Sequence, residues 1–394
     1  MPRDSRGARA RSGNARLLIC AAALACACQA TAQEKDKRSL FTDPQDGALD
    51  ASEWLLDRKG FLPLPIVITE PAVGYGAGAA LLFFRESIRE RTEKAGQGHR
   101  LTPPDIYLAA FAATENGTKV VGAGGLVTFD DDRWRWRGGI GLPDVNLDFY
   151  GAGGKLGTGD HKIGYNIDGL FSTQQVMRRL GESNNWIVAR WVYLDLDASF
   201  DSSRPEPVLP PRSRAARSSG LGGSLEHDSR DNFFTAASGW KGSIEGIFYS
   251  PDYGSDAKYQ TYRALAFGYA PLWEEFVLGG RIDARTARGD VPFYQLPFIE
   301  LRGIPVVRYQ DQSAGALETE LRWNVTPRWA LIGFLGYGRA WGTSTSFGDA
   351  DSVTTKGAGF RYLIARRLGL YAGVDIAKGP EDTALYIQAG SAWR

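Results

Sequence analysis

An all-β chain rolled into a transmembrane antiparallel barrel of about sixteen strands is the fold this sequence predicts, and three observations predict it. Arg3, Arg6, Arg9, Arg11 and Arg16 precede an apolar run, Leu17 to Ala27, followed by the small residues Ala30-Thr31-Ala32. This is the layout of a secretory signal peptide, residues 1–32, with cleavage expected after Ala32. The alternative is a lipoprotein site at Cys26 or Cys28, neither of which has the expected Leu three residues upstream. No later uncharged apolar run reaches the roughly 18–20 residues that a spanning helix needs. From Phe61 onward the chain instead breaks into segments of roughly 8–15 residues that alternate in polarity or are rich in glycine, the length of a tilted spanning strand.

Composition permits the same fold. The 46 basic residues balance 45 acidic ones, so there is no basic field to hold nucleic acid. Glycine, at 48 of 394 residues, exceeds its usual share of about 7% and suits tightly curved sheet. The 11 tryptophans favour membrane interfaces. A mean hydropathy of -0.27 is what a barrel averages to when alternate residues face water. All three cysteines (Cys20, Cys26, Cys28) lie in the signal segment. The mature chain is therefore expected to lack disulfides, thiolate chemistry and cysteine-held metal.

In chain order, residues 33–60 form a short polar extension with one amphipathic piece around Trp54, Leu55 and Leu56. It reads as a tether, or as a plug or lid. Residues 61–394 are the barrel, whose segments run from Leu62–Thr69 and Val73–Phe84 to Leu368–Ala377 and Ala384–Trp393. In the C-terminal half the joins alternate short and long, Thr326–Arg328 between Ala287–Gly315 and Gly342–Thr355. Short periplasmic turns and long outer loops are the barrel rule. The N-terminal half departs from it, with a short join at 70–72 and a long one at 85–105. Asp201–Arg217, with its prolines and arginines, reads as an exposed loop.

Facing follows from period-2 alternation. Leu317, Thr319, Leu321 and Trp323 point to lipid, with Glu318, Glu320 and Arg322 in the lumen. Leu368, Leu370, Val374 and Ile376 face out while Tyr371 and Asp375 face in. Leu385, Ile387, Ala389 and Trp393 share one face of the last segment.

Before the segment at 316–325 lies a long loop carrying Val291-Pro292-Phe293-Tyr294 and Leu301-Arg302-Gly303-Ile304. With these residues the chain resembles the BamA/TamA superfamily of outer-membrane proteins (bacterial surface antigens), which carry an Arg-Gly-aromatic motif on a loop folded back into the barrel. Ile304 replaces the aromatic. Two further motifs follow the family's order. Asp228-Ser229-Arg230-Asp231 with Gly239 resembles its turn motif, and Gly357-Ala358-Gly359-Phe360-Arg361 its glycine-rich strand. Trp393 resembles the terminal-strand signal for barrel assembly. The chain departs at Gly336, where the family commonly holds an inward acid. The resemblance implies a Gram-negative outer-membrane barrel, and residues 33–60 are expected to be too short for the periplasmic POTRA domains that family members usually carry. It also implies a role in inserting or translocating proteins or lipids, by opening the seam between first and last strands. Its partners would be outer-membrane lipids and client outer-membrane proteins.

A guanidinium inside a barrel needs an acceptor. Arg302 is therefore expected to pin the loop through Glu318, Glu320 or Asp375, with Arg361 nearby; the alternative is a solvated loop arginine. No catalytic site, cofactor or metal is expected. Glu226-His227-Asp228-Ser229 cannot form a triad, because neighbours on a strand face opposite ways. The alternative to an assembly role is a passive pore or a structural surface antigen.

Overall fold

The computed structural model describes residues 39–95, 104–150, 162–200, 215–343 and 345–393. The expected signal peptide and most of the Asp201–Arg217 loop lie outside these. One antiparallel sheet holds sixteen strands in sequential order. The first eight are β1 (Gly60–Ile68), β2 (Gly76–Phe84), β3 (Ile106–Thr114), β4 (Lys119–Phe129), β5 (Trp134–Phe149), β6 (Ile163–Arg179), β7 (Asn185–Phe200) and β8 (Ala215–Asp228). The last eight are β9 (Gly239–Tyr249), β10 (Tyr259–Trp273), β11 (Phe276–Gly289), β12 (Ser313–Asn324), β13 (Trp329–Trp341), β14 (Ser352–Ala365), β15 (Leu370–Lys378) and β16 (Thr383–Ala389). Two helices, α1 (Ser52–Leu56) and α2 (Ile88–Ala95), lie at the rim where β1 begins and β16 ends. By the barrel rule this rim faces the periplasm.

Alternation creates the wall. Along β13, Trp329, Leu331, Leu335 and Tyr337 are exposed, and Ala330, Ile332, Phe334, Gly336 and Gly338 are buried. Aromatics mark the periplasmic edge of the apolar band, where Phe276 stacks on Trp323 at 5.8 Å and Trp329 meets Tyr362 at 4.9 Å. Arg339 breaks the apolar face only near the outer end of β13, where it donates to the Phe347 carbonyl at 2.8 Å.

The structure resolves one open sequence reading and revises two expectations. The join 85–105 is long because it carries α2 along the rim, so the strand assignment stands and the loop asymmetry is relaxed. Leu368 does not face lipid: it sits in the 3-10 turn Arg366–Leu368, buried against Leu56 and Ala365. The last strand stops at Ala389. Gly390 then takes a left-handed φ of 82°, which breaks the alternation and turns Trp393 into the barrel.

Residues 39–57 lie along the periplasmic rim. Arg328, in the β12–β13 turn, donates to Asp50 at 2.7 Å, to Asp46 at 2.6 Å and also to Asp43. Arg366 and Arg367, in the β14–β15 turn, pair with Asp43 and Glu53. Backbone contacts follow the same path: the Ala51 amide donates to Ile364 at 2.7 Å and Tyr362 Oη to the Leu49 carbonyl at 2.8 Å.

Burial would raise the Asp50 carboxyl, but hydrogen bonds from Ser52, Arg328 and the Arg366 amide outweigh it and hold it at about 2. Hydrogen bonds from Arg366 and Arg328 likewise depress Asp43 and Asp46. A depressed carboxyl contributes fully above its unfolded value of about 3.9 and loses that contribution as pH falls through its folded one. Amides of residues 41–57 should therefore stay protected from hydrogen exchange from pH 7 to about 4 and lose protection between there and about pH 2. Early loss, near pH 6, would contradict this pairing.

Candidate functional site: a loop across the lumen and a seam without a ladder

Residues 290–312, between β11 and β12, fold into the lumen as a strut between opposite walls. An isolated bridge between Phe298 and Gln310 closes the loop on itself. At one end Phe293 enters a ring of aromatics from β5–β7, at 5.4 Å from Phe149, 5.2 Å from Tyr165 and 5.3 Å from Phe200. At the other end Ile299, Leu301 and Ile304 pack on Ala314, Ala316, Ala340 and Val353 of β12–β14.

Arg302 sits among three carboxylates. Its Nε donates to Glu318 at 2.7 Å and its Nη1 to Asp375 at 2.9 Å. Its Nη2 lies 2.8 Å from Glu320, an ion-pair distance without hydrogen-bond alignment. Arg361 holds the other side of Asp375, through bonds of 2.6 and 2.9 Å. The Phe334 ring covers the Arg302 guanidinium at 3.6 Å. Glu318 and Asp375 are almost wholly buried, so each needs the cations around it.

Glycine explains the motif's other half. Gly303 has a φ of 89°, a conformation costly for any residue with a Cβ. Its carbonyl approaches the β15–β16 turn so closely that a Cβ on Gly379 would lie 2.0 Å from it. Gly336, read from sequence as a missing acid, is room: a Cβ there would meet Thr355 at 2.4 Å and Leu301 at 3.1 Å. The inward glycines of β13 form the groove that receives the loop, a signal that sequence reasoning passed over.

The barrel's two edges face each other without a strand ladder. Among the described residues β1 pairs only with β2, and β16 only with β15. The strands here are short, nine residues in β1 and seven in β16, against 17 in β6. At about 3.4 Å per residue and a ~45° tilt, β16 crosses ~17 Å of a ~25 Å apolar band. On the outer side the loop bridges this seam. The Val306 amide donates to Glu70, after β1, at 3.0 Å. The Gly303 amide donates to Tyr386 of β16 at 2.9 Å, and Arg308 pairs with Glu381, before β16, at 2.9 Å.

The turn motif works at the periplasmic mouth. Arg230 grips Asp228 through two bonds of 2.9 and 2.7 Å, and Asp231 accepts the Ala237 amide at 3.0 Å. At Gly239 (φ 86°) a Cβ would lie 2.3 Å from the Ser229 carbonyl. Shaped this way, the β8–β9 turn reaches the opposite wall, where Asn232 donates to the Leu368 carbonyl at 2.9 Å. Trp393 is not on the lipid face with Ile387. It stacks on Tyr269 at 5.6 Å, and its Nε1 donates to Glu318 at 2.7 Å. Trp393 thus joins the Arg302 cluster through Glu318.

The remaining candidates stand apart. His227 contacts Asn185 at 2.8 Å and stacks on Trp240, while Glu226 accepts from Ser224. His99 and His161 lie outside the described residues. Between the loop, β10, β11 and β16 a cavity of about 320 Å³ remains, bordered by Glu70, Arg281, Tyr386 and Trp393.

Two predictions follow from this geometry. In planar bilayers the protein should conduct far less than an open sixteen-stranded pore; a large, steady channel would contradict a strut across the lumen. Arg302→Ala leaves Glu318, Glu320 and Asp375 short of a cation and should lower unfolding stability in detergent–urea titrations by about 3–5 kcal/mol. Arg302→Lys should recover only part of it, since one ammonium cannot fork between three carboxylates. An Arg302→Ala variant as stable as the parent would show that the cluster does not hold the loop.

No family model and no curated protein matches the sequence. Solved structures do. BamA from Haemophilus ducreyi lacking POTRA domains 1-3 superposes with a TM-score of 0.57 at 13% identity, over 84% of this chain and 69% of that one. CdiB from Acinetobacter baumannii gives 0.56 at 10%, over 84% and 60%. CdiB from Escherichia coli gives 0.53 at 11%, over 83% and 62%. This chain therefore spans about three-fifths of the length of the two CdiB proteins. At these identities the likeness is one of fold, and the chain is a sixteen-stranded barrel of the outer-membrane kind, built as those barrels are.

Proposed function

We propose that this protein assists the insertion or translocation of proteins or lipids at the outer membrane of a Gram-negative bacterium, through the seam between β1 and β16. One observation carries the reading: these edges carry no ladder to each other among the described residues. An unpaired backbone amide in lipid costs several kcal/mol, so an edge of this kind is a site where another strand or a lipid headgroup lowers the free energy. The short strands beside it add to this, since an apolar band narrower than the bilayer thins the lipid locally. The fold shared with BamA agrees with the role that the sequence resemblance implies. The alternative, a passive pore, gains no support from a lumen crossed by residues 290–312.

The seam can be locked to test this. The only native cysteines are Cys20, Cys26 and Cys28, so cysteines introduced stepwise along β1 and β16 define the cross-link. Liposomes containing the protein should speed the folding of an unfolded outer-membrane protein, read by heat-modifiable gel mobility. The oxidised seam should abolish the acceleration and reductant should restore it. Scrambling of a labelled phospholipid, measured in parallel, separates protein clients from lipid ones. Equal rates with empty liposomes, or with the seam locked, would refute the proposal and leave a structural surface protein.

A further inference from the structure

The periplasmic end of the seam is bridged by residues that are not strands. On the C-terminal side, residues 43–53 hold the β12–β13 and β14–β15 turns through Arg328, Arg366 and Arg367. On the N-terminal side the same segment grips α2, in the β2–β3 join: Arg89 pairs with Glu53 at 2.6 Å and with Asp57 at 2.5 Å. Lys59, one residue before β1, pairs with Glu90 at 3.1 Å. A small apolar contact runs under these charges, with Leu56 on Ala365 and Leu368, and Leu55 and Ile88 packed beside them. Glu53 touches both sides, meeting Arg367 and Arg89. The segment therefore links the β12–β13 and β14–β15 turns on one side of the missing ladder to α2 and the start of β1 on the other.

We propose that residues 39–57 are a latch for the seam, holding the β1 and β16 edges together from the periplasmic side, and that they must leave Arg328, Arg366 and Arg367 before the seam opens. The inference deepens the seam reading above and rests on it. Its physical basis is the mixture of contacts. Arg328 and its partners Asp43 and Asp50 are buried, so the bond is specific. Arg366, Arg367, Glu53 and Asp57 are substantially exposed, and exposed pairs are weak and screened by salt. The apolar contact involves few side chains. A strap held this way detaches without unfolding the barrel. The surface it uncovers, an arc of Arg89, Arg328, Arg366 and Arg367, suits an extended acidic polypeptide, the chemistry of the strap itself.

Hydrogen exchange of the full chain in nanodiscs tests the latch. In Asp43→Asn/Asp46→Asn/Asp50→Asn, amides of β1 and β16 should exchange at least about tenfold faster while β5–β7 stay unchanged, and Arg328→Gln should do the same. Heat-modifiable mobility checks that each variant is folded. If the charge variants do not fold, the opposite variant decides. A disulfide between Ala51→Cys and Ile364→Cys should slow exchange at β1 and β16, reversibly with reductant. Unchanged exchange at the seam, or acceleration spread evenly over all strands, would overturn the latch. If exchange responds as expected but no variant assists client folding or lipid transfer, the latch stands and the proposed function falls. If assistance is strong and indifferent to the disulfide, the latch falls alone.

Discussion

The structure depends on one constraint: in lipid every backbone N–H and C=O must find a partner inside the protein. Fifteen neighbouring strand pairs meet it through antiparallel ladders, and among the described residues the sixteenth, between β1 and β16, does not. Other parts of the chain compensate for that gap. The loop 290–312 ties its outer end through Glu70, Tyr386 and Glu381. Residues 39–57 tie its inner end through arginines on the turns. Neither tie is a strand, so each can be released without breaking a ladder.

Charge in the lumen serves the same end. Arg302 is far from its carboxylates in sequence and reaches β12 and β15 at once. A cation with three acceptors cannot slide to a new register without leaving one of them unpaired. Trp393, beyond the end of β16, extends the cluster through Glu318. On the far side the apolar Phe293 gives the strut a second foot in a pocket of aromatics. The loop is thus fixed on the β12–β15 side by buried charge together with the packing of Ile299, Leu301 and Ile304, and at the opposite wall by packing alone. Because Arg302, Glu318 and Asp375 are buried, salt screens their attraction little.

Much of this was legible in the sequence, for physical reasons. Period-2 alternation is a local signal, so the sixteen strands and the faces of β12 and β13 could be read directly. An arginine destined for a barrel interior requires acids, which narrowed the partners of Arg302 to inward carboxylates. Single left-handed residues were harder. Gly390 breaks the strand alternation, and so misplaced Trp393. Gly336 was read as an absent acid, because the group that fills its space, Leu301, arrives from a loop 35 residues away. The docking of residues 39–57 was not legible, since its acids meet arginines about 300 positions later and no local pattern joins them.

The claim at the centre is that β1 and β16 are edges, not neighbours in a ladder. Hydrogen exchange of the unmodified protein in a lipid bilayer tests it most directly, because protection reports each strand's own opening free energy. Amides in β1 and β16 should exchange orders of magnitude faster than those in β6 and β7. Equal protection all the way round would mean a closed ring of strands, and the account would fail.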